Sequence, residues 1–122
     1  MKKGRSAWLL LIDDHDRVLI VKRSKEVNNP GQWGFPGGGH NKMKFSKLIK
    51  KETFEEVGLK IKPRAIFKKK TKNNIHKYFI TRYDHTKHNI VLNYEATEFK
   101  FIHMSKLEKL ENPHRSIKLL MA

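Results

Sequence analysis

The chain has 122 residues, with 27 Lys or Arg against 12 Asp or Glu, a formal net charge of +15 when the seven histidines are counted neutral. That length fits one domain over residues 1–122, and the 38% of hydrophobic residues, gathered into short runs, suffice for one modest core. No apolar stretch approaches the ~20 residues of a membrane-spanning helix, which points to a soluble, cytoplasmic protein with no membrane partner; the absence of cysteine excludes disulfides, thiol catalysis and thiolate metal sites.

In chain order, Ala7 to Ile12 is a buried-type apolar run, Asp13-Asp14-His15-Asp16 is turn chemistry, and Val18 to Val21 is a second apolar run, so residues 6–23 predict a hairpin. Asn28-Asn29-Pro30-Gly31 marks a loop, Trp33 to Phe35 a very short strand, and Pro36-Gly37-Gly38-Gly39 a backbone bend that glycine tolerates freely. A helix follows. Phe45, Ile49, Thr53, Phe54 and Val57 fall on one side at 100° per residue, Ser46 is placed to cap its start and Gly58 to end it. Strands are predicted at Ala65 to Phe67, Ile75 to Tyr83, Ile90 to Leu92 and Phe99 to His103, with a turn over Asp84 to Asn89. Two short helices close the chain, Ser105 to Leu110 and Asn112 to Leu120, the second opened by Asn112 as cap and Pro113 at its first position. Strands and helices mix without a linker, so the pattern predicts one layer-packed domain of α+β or α/β type.

The acidic residues are unevenly placed. Glu52, Glu55 and Glu56 stand at i, i+3 and i+4 on one helical face, late in the helix, where like charges repel and the helix dipole disfavours anions. A divalent cation held by oxygen ligands, Mg²⁺ or Mn²⁺, would compensate them; so would pairing with Lys51, Lys60 and other lysines. The preceding Gly37-Gly38-Gly39 bend is placed to fold back and set backbone groups beside these carboxylates, an arrangement suited to holding phosphate and metal together.

Phe35-Pro36-Gly37-Gly38 followed by Lys51-Glu52-Thr53-Phe54-Glu55-Glu56-Val57-Gly58-Leu59 resembles the Nudix box, a glycine, a glutamate and then Arg-Glu-U-x-Glu-Glu-x-Gly-U with U apolar. The sequence departs from that pattern at Met43, where the first glutamate is expected, and at Lys51, which replaces the arginine and lacks its planar fork. The hairpin ending in Arg23, the Pro30 to Phe35 approach and the late Glu98 to Phe101 are similar to MutT-like members, so the resemblance covers most of the chain.

The resemblance implies an α/β/α sandwich around a mixed sheet and Mg²⁺- or Mn²⁺-dependent hydrolysis of a nucleoside triphosphate, or of another nucleoside diphosphate linked to a group X. Residue by residue it implies metal binding by Glu52, Glu55, Glu56 and the Gly37 carbonyl, with Glu55 and Glu56 also catalytic. It further implies a catalytic glutamate before the last strand, with Glu95 the better match and Glu98 the second candidate. Arg23, assisted by Lys22, is expected to hold a substrate phosphate with Gly38 in the turn, and Asn112 to read a base edge. Among Trp8, Trp33, Tyr78, Phe79 and Tyr94, aromatics at strand positions are more often core, and Tyr78 and Tyr94 are the candidates for stacking on the substrate. His40, His76, His85, His88, His103 and His114 show no zinc-type spacing and are expected to be surface or substrate-side groups.

Two alternatives stand beside free-nucleotide hydrolysis: attack on an RNA 5′ end, and a catalytically silent module that binds nucleotide or RNA. The lysine run from Lys60 to Lys72 suits either a solvated strand face or a nucleic-acid groove. The partners expected are a nucleotide substrate and RNA through the basic surface, with the chain a monomer or homodimer.

Overall fold

The computed structural model describes residues 4–40 and 42–122. In order along the chain come β1 (Gly4–Ile12), β2 (Arg17–Arg23), β3 (Trp33–Gly34), β4 (Gly37–His40), α1 (Phe45–Val57), β5 (Arg64–Lys70), β6 (Asn74–Arg82), β7 (Ala96–His103), a 3-10 helix (Met104–Lys109) and α2 (Arg115–Met121). One mixed sheet carries β3-β2-β1-β6-β5, with β4 also on β1 and β7 also on β2. It is mixed because β1 and β6 run parallel from Gly4↔Asn74 to Ile12↔Arg82, while the other pairs are antiparallel.

The apolar run in β1 is explained by burial on both faces. Ala7, Leu9 and Leu11 join Leu19 and Val21 of β2 in a core with Leu48, Ile49 and Val57 of α1; Trp8 and Leu10 join Val18 and Ile20 in a second core with Leu107 and Ile117. Helices thus cover the sheet on both sides, the expected α/β/α sandwich.

The predicted hairpin is present in its turn, but its strands part at once. The turn is held by buried Asp13, which accepts from the amides of His15 (2.9 Å) and Arg17 (3.0 Å), from Arg17 Nε (2.9 Å) and faces His85 Nε2 at 3.0 Å. Burial pushes its carboxyl up, yet these hydrogen bonds outweigh that and hold it below the usual carboxylate range. The β1–β2 ladder is confined to Ile12↔Val18. Since β6 occupies the whole of one edge of β1 and β7 one edge of β2, both β4 and β3 lie in the wedge that opens between β1 and β2. The Phe35-Pro36 link crosses that wedge, with Pro36 accepting from the Leu9 amide at 2.8 Å.

Several local expectations are corrected. Helix α1 starts after Lys44 with no side-chain cap, and Ser46 lies inside it; Phe54 faces solvent, while Leu48 and the carboxyl-bearing Glu56 take inward positions. Gly58 ends the helix as expected, in the left-handed conformation at φ 76°. Residues 90–92 form no strand: Val91 and Asn93 instead donate to the carbonyls of Val57 and Glu56 and satisfy the end of α1. Helix α2 begins later than expected, with His114 as its cap; Asn112 sits outside it at φ 57°, its carbonyl accepting from the Trp33 amide at 2.9 Å.

Candidate functional site

The wedge between β1 and β2 is the site's foundation, because it brings the glycine strand β4 against the acidic face of α1. Gly37 sits at φ 147°, and a Cβ there would stand 2.0 Å from the Ala7 carbonyl oxygen. No side chain fits. A Cβ on Gly38 would stand 2.8 Å from Cδ of Glu52, so the absence of a side chain there lets this carboxylate lie on the strand.

Around this floor runs a cleft of about 590 Å³, bordered by Arg23 at the end of β2, by Asn28 and Asn29 of the next loop, by Glu52 and Glu55 of α1, and by Glu95. Glu95 arrives through the segment that caps α1: the Asn93 amide holds the Glu56 carbonyl, Asn93 Nδ2 donates to Glu95 Oε1 at 3.3 Å, and the Glu95 carbonyl accepts from Ser24 at 2.8 Å. One oxygen from each of Glu52, Glu55 and Glu95 lies within 4.8 Å of the others.

The electrostatics of this trio call for a cation. Burial pushes the Glu52 carboxyl up, Lys51 opposes this, and Glu55 and Glu95 push it further up. Lys51 Nζ stands 3.1 Å from Glu55 and 3.7 Å from Glu52 on the solvent side, and Arg23 acts on Glu95, leaving three carboxylates against two cations that are also exposed or committed elsewhere. A hard divalent ion fits a donor set made of carboxylate oxygens.

Glu56 stands behind the trio, 6% exposed, with its Oε2 accepting from the Gly37 amide at 3.2 Å. Burial drives its carboxyl up to about 8, with Glu95 and Glu52 adding to the rise against the Gly37 hydrogen bond and Arg23. Arg23 is turned into the cleft by its Nε–H bond to the Asn28 carbonyl at 2.6 Å; burial lowers its proton affinity while Glu56 and Glu95 restore part of it.

The cleft therefore gathers Arg23, Gly37, Gly38, Glu52, Glu55 and Glu95, with Glu56 hydrogen-bonded beneath it. Other candidates fall elsewhere. Glu98 and Lys22 face each other across β7 and β2 as an exposed ion pair at 3.4 Å, outside the cleft lining. Tyr78 is 0% exposed, stacked on Phe67 at 4.7 Å and donating its hydroxyl to the Ser116 carbonyl, so it is a core residue and no stacking surface. Tyr94 is 71% exposed and does not border the cleft, nor does Asn112. Met43, in place of the expected glutamate, packs against the α1-side core and gives its carbonyl to Arg5. No residue from Lys60 to Lys72 lines the cleft; Arg64 to Lys70 form the edge strand β5, where exposed lysines block pairing with another chain.

The cleft lining also includes Arg115, which the sequence did not single out, His114, expected only as one of the surface or substrate-side histidines, and Trp8, passed over in favour of Tyr78 and Tyr94. Trp8 was hidden in an apolar run, and its indole N–H donates to His76 Nδ1 at 3.0 Å. An Nδ1 that accepts leaves the ring proton on Nε2, and burial with the Arg115 charge lowers His76 to about 4, so this buttress is neutral.

The model of the NUDIX domain matches residues 2–121. A prenyl-diphosphate phosphatase from Methanosarcina mazei is 27% identical over 127 aligned positions, covering 93% of this chain and 68% of that protein. Among solved structures, a MutT protein from Methanosarcina mazei Go1 superposes with a TM-score of 0.74 at 19% identity, covering 97% of this chain and 91% of its own. The NUDIX domain of Shewanella oneidensis NrtR, solved with ADP ribose, gives 0.77 at 12% identity, over 99% and 86% of the two chains.

Proposed function

Because the chain belongs to the NUDIX family and is a hydrolase of that family, we propose that it cleaves a phosphoanhydride bond in a nucleoside triphosphate, or in another diphosphate linked to a group X, with Mg²⁺ or Mn²⁺ as cofactor. The observation that carries this reading is the approach of Glu52, Glu55 and Glu95 to within 4.8 Å at the edge of a cleft that also presents Arg23. Glu52, Glu55 and Glu95 would hold the metal, with the Gly37 carbonyl as a further oxygen beside them. When bound, the ion neutralises phosphate charge and favours water as a nucleophile.

The chain's own groups do the rest. Arg23 binds and orients a phosphate with its guanidinium fork. Glu56, whose proton affinity burial has raised toward neutrality, takes the proton of the attacking water as the new P–O bond forms and the anhydride P–O bond breaks. The Gly37 amide keeps that carboxylate in place. Glu98 is given no part, because it faces Lys22 on the exposed strand surface outside the cleft lining.

The family members named for a prenyl diphosphate and bound to ADP ribose share the diphosphate and differ in X. The test is release of phosphate or pyrophosphate from nucleoside triphosphates, ADP-ribose, a prenyl diphosphate and 5′-triphosphorylated RNA with Mg²⁺ or Mn²⁺, for the parent and Glu56→Gln. Turnover of some member, lost by orders of magnitude in the variant, supports the reading; binding without turnover of any member overturns it in favour of a silent module.

A further inference from the structure

We propose that His114 and Arg115 form a second anion subsite, taking a substrate phosphate that lies beyond the hydrolysed bond; this rests on the diphosphate reading above. His114 is 3% exposed, and its Nδ1 receives the Ser116 amide at 3.2 Å and lies 3.0 Å from Ser116 Oγ, which itself accepts from the Phe35 amide at 3.1 Å. An imidazole nitrogen that accepts a backbone N–H carries no proton, so the ring proton is on Nε2.

That Nε2–H has no partner among the described residues. It is not sealed off either, since Thr53 Oγ1 is the sealed, unpartnered side-chain atom they contain, and the ring lines the cleft. The ring is also fixed. Trp8 meets it edge-on at 5.3 Å, and Gly34 approaches so closely that a Cβ there would stand 2.9 Å from His114 Cβ. Burial, followed by the charges of Arg23 and Arg115, lowers the ring to about 3, which keeps it a neutral donor.

Arg115 is exposed beside it and makes no hydrogen bond or ion pair with the described residues. With Gly39 it also borders an adjoining hollow of about 510 Å³, whose further lining includes Arg5 and Lys42 and no carboxylate. The groove is thus polarised along β4, with carboxylates at the α1 end and cations at the other. Arg115 and His114 Nε2 offer donors and no acceptor. Phosphate oxygens accept everything this pair offers and carry the charge that complements Arg115, whereas most base edges mix donors with acceptors and only an all-acceptor edge such as guanine O6/N7 avoids a donor facing a donor.

The two nitrogens of His114 can be tested separately. His114→Asn keeps a cap acceptor for Ser116 and loses the cleft donor, whereas His114→Gln restores an amide N–H near the Nε2 position. The probe is inorganic tripolyphosphate, its Kd measured by calorimetry without metal, with Lys68→Ala on the edge strand as the control for diffuse binding to a basic surface. Expected are a weakening of about tenfold for His114→Asn and for Arg115→Ala, a change under about threefold for His114→Gln, and none for Lys68→Ala. On whichever substrate turns over, KM rises in His114→Asn with kcat held, and thermal melts stay cooperative. Parent-like binding by both His114→Asn and Arg115→Ala, or an equal loss in Lys68→Ala, overturns the proposal. Site-specific tripolyphosphate binding without any diphosphate hydrolysis would leave the subsite standing and remove the hydrolase reading instead.

Discussion

The Gly37 amide donates to Oε2 of Glu56 at 3.2 Å, joining the glycine strand to the inner edge of α1 across 19 positions of sequence. This bond ties the fold to the site, because it fixes the one helix carboxylate that the sheet buries and aligns the other glutamates beside the strand.

Gly37 and Gly38 should therefore fail differently. Gly37→Ala meets the Ala7 carbonyl and a backbone angle hostile to side chains, and loses about 3 kcal/mol or more in chemical denaturation. Gly38→Ala meets the end of the Glu52 side chain, which can turn away. Its stability falls by less than about 1 kcal/mol, while activity drops at least tenfold through displacement of Glu52.

Glu56 is expected to trade stability for activity. Its folded pKa is raised from an ordinary 4.5 to about 8, so its contribution is intact below pH 4.5 and is lost as pH rises toward 8. Without metal, Glu56→Gln should match the parent near pH 4 and exceed it by on the order of 4 kcal/mol at pH 8, measured by urea unfolding. The same substitution should lower kcat by about 10²-fold or more.

His76 and His114 predict the opposite trend in acid. Both are held neutral in the fold, at about 4 and about 3, against an ordinary 6.5, so the unfolded chain binds more protons between those values. Stability then falls as pH drops below 6.5, by about 2 kcal/mol for each ring at pH 5. In the Glu56→Gln background, which removes the counter-trend, the melting temperature should decline steadily from pH 7 to pH 5. A flat profile there would mean that the rings are not held neutral.

Tyr78→Phe separates packing from recognition. The substitution removes one buried hydrogen bond to the Ser116 carbonyl, costing about 1 kcal/mol of stability, while KM for any substrate changes less than about twofold. A large KM effect would restore Tyr78 to the pocket.

Much of this arrangement was readable in the residues. The unbroken apolar run at Ala7 to Ile12 encoded a strand buried on both faces, Gly58 encoded the end of α1, and the glutamates so close to a glycine bend encoded the acidic edge of the cleft. What escaped depends on pairing between distant segments. Nothing local tells β1 and β2 to part after Ile12↔Val18, since β4 and β3 fill the wedge from later in the chain. Ile90 to Leu92 look like a strand because they are apolar and two of the three are β-branched, yet the amides of Val91 and of the following Asn93 are drawn to the open carbonyls of α1. Asn112 carries the stronger cap preference, but His114 takes the position because Trp33 holds the Asn112 carbonyl outside the helix. Tyr78 lies in a strand and is buried, whereas Tyr94 lies between Asn93 and Glu95 in a connecting segment and is exposed.

Glu95, brought in by the loop that caps α1, would complete the metal-holding trio, and Glu98 would not. The direct measurement is Mn²⁺ affinity by electron paramagnetic resonance, with hydrolysis rates alongside, for Glu95→Gln and Glu98→Gln. We expect Glu95→Gln to weaken Mn²⁺ at least tenfold and to abolish most activity, and Glu98→Gln to stay within about threefold of the parent on both. Retained Mn²⁺ binding and turnover in Glu95→Gln, with loss in Glu98→Gln, would contradict it.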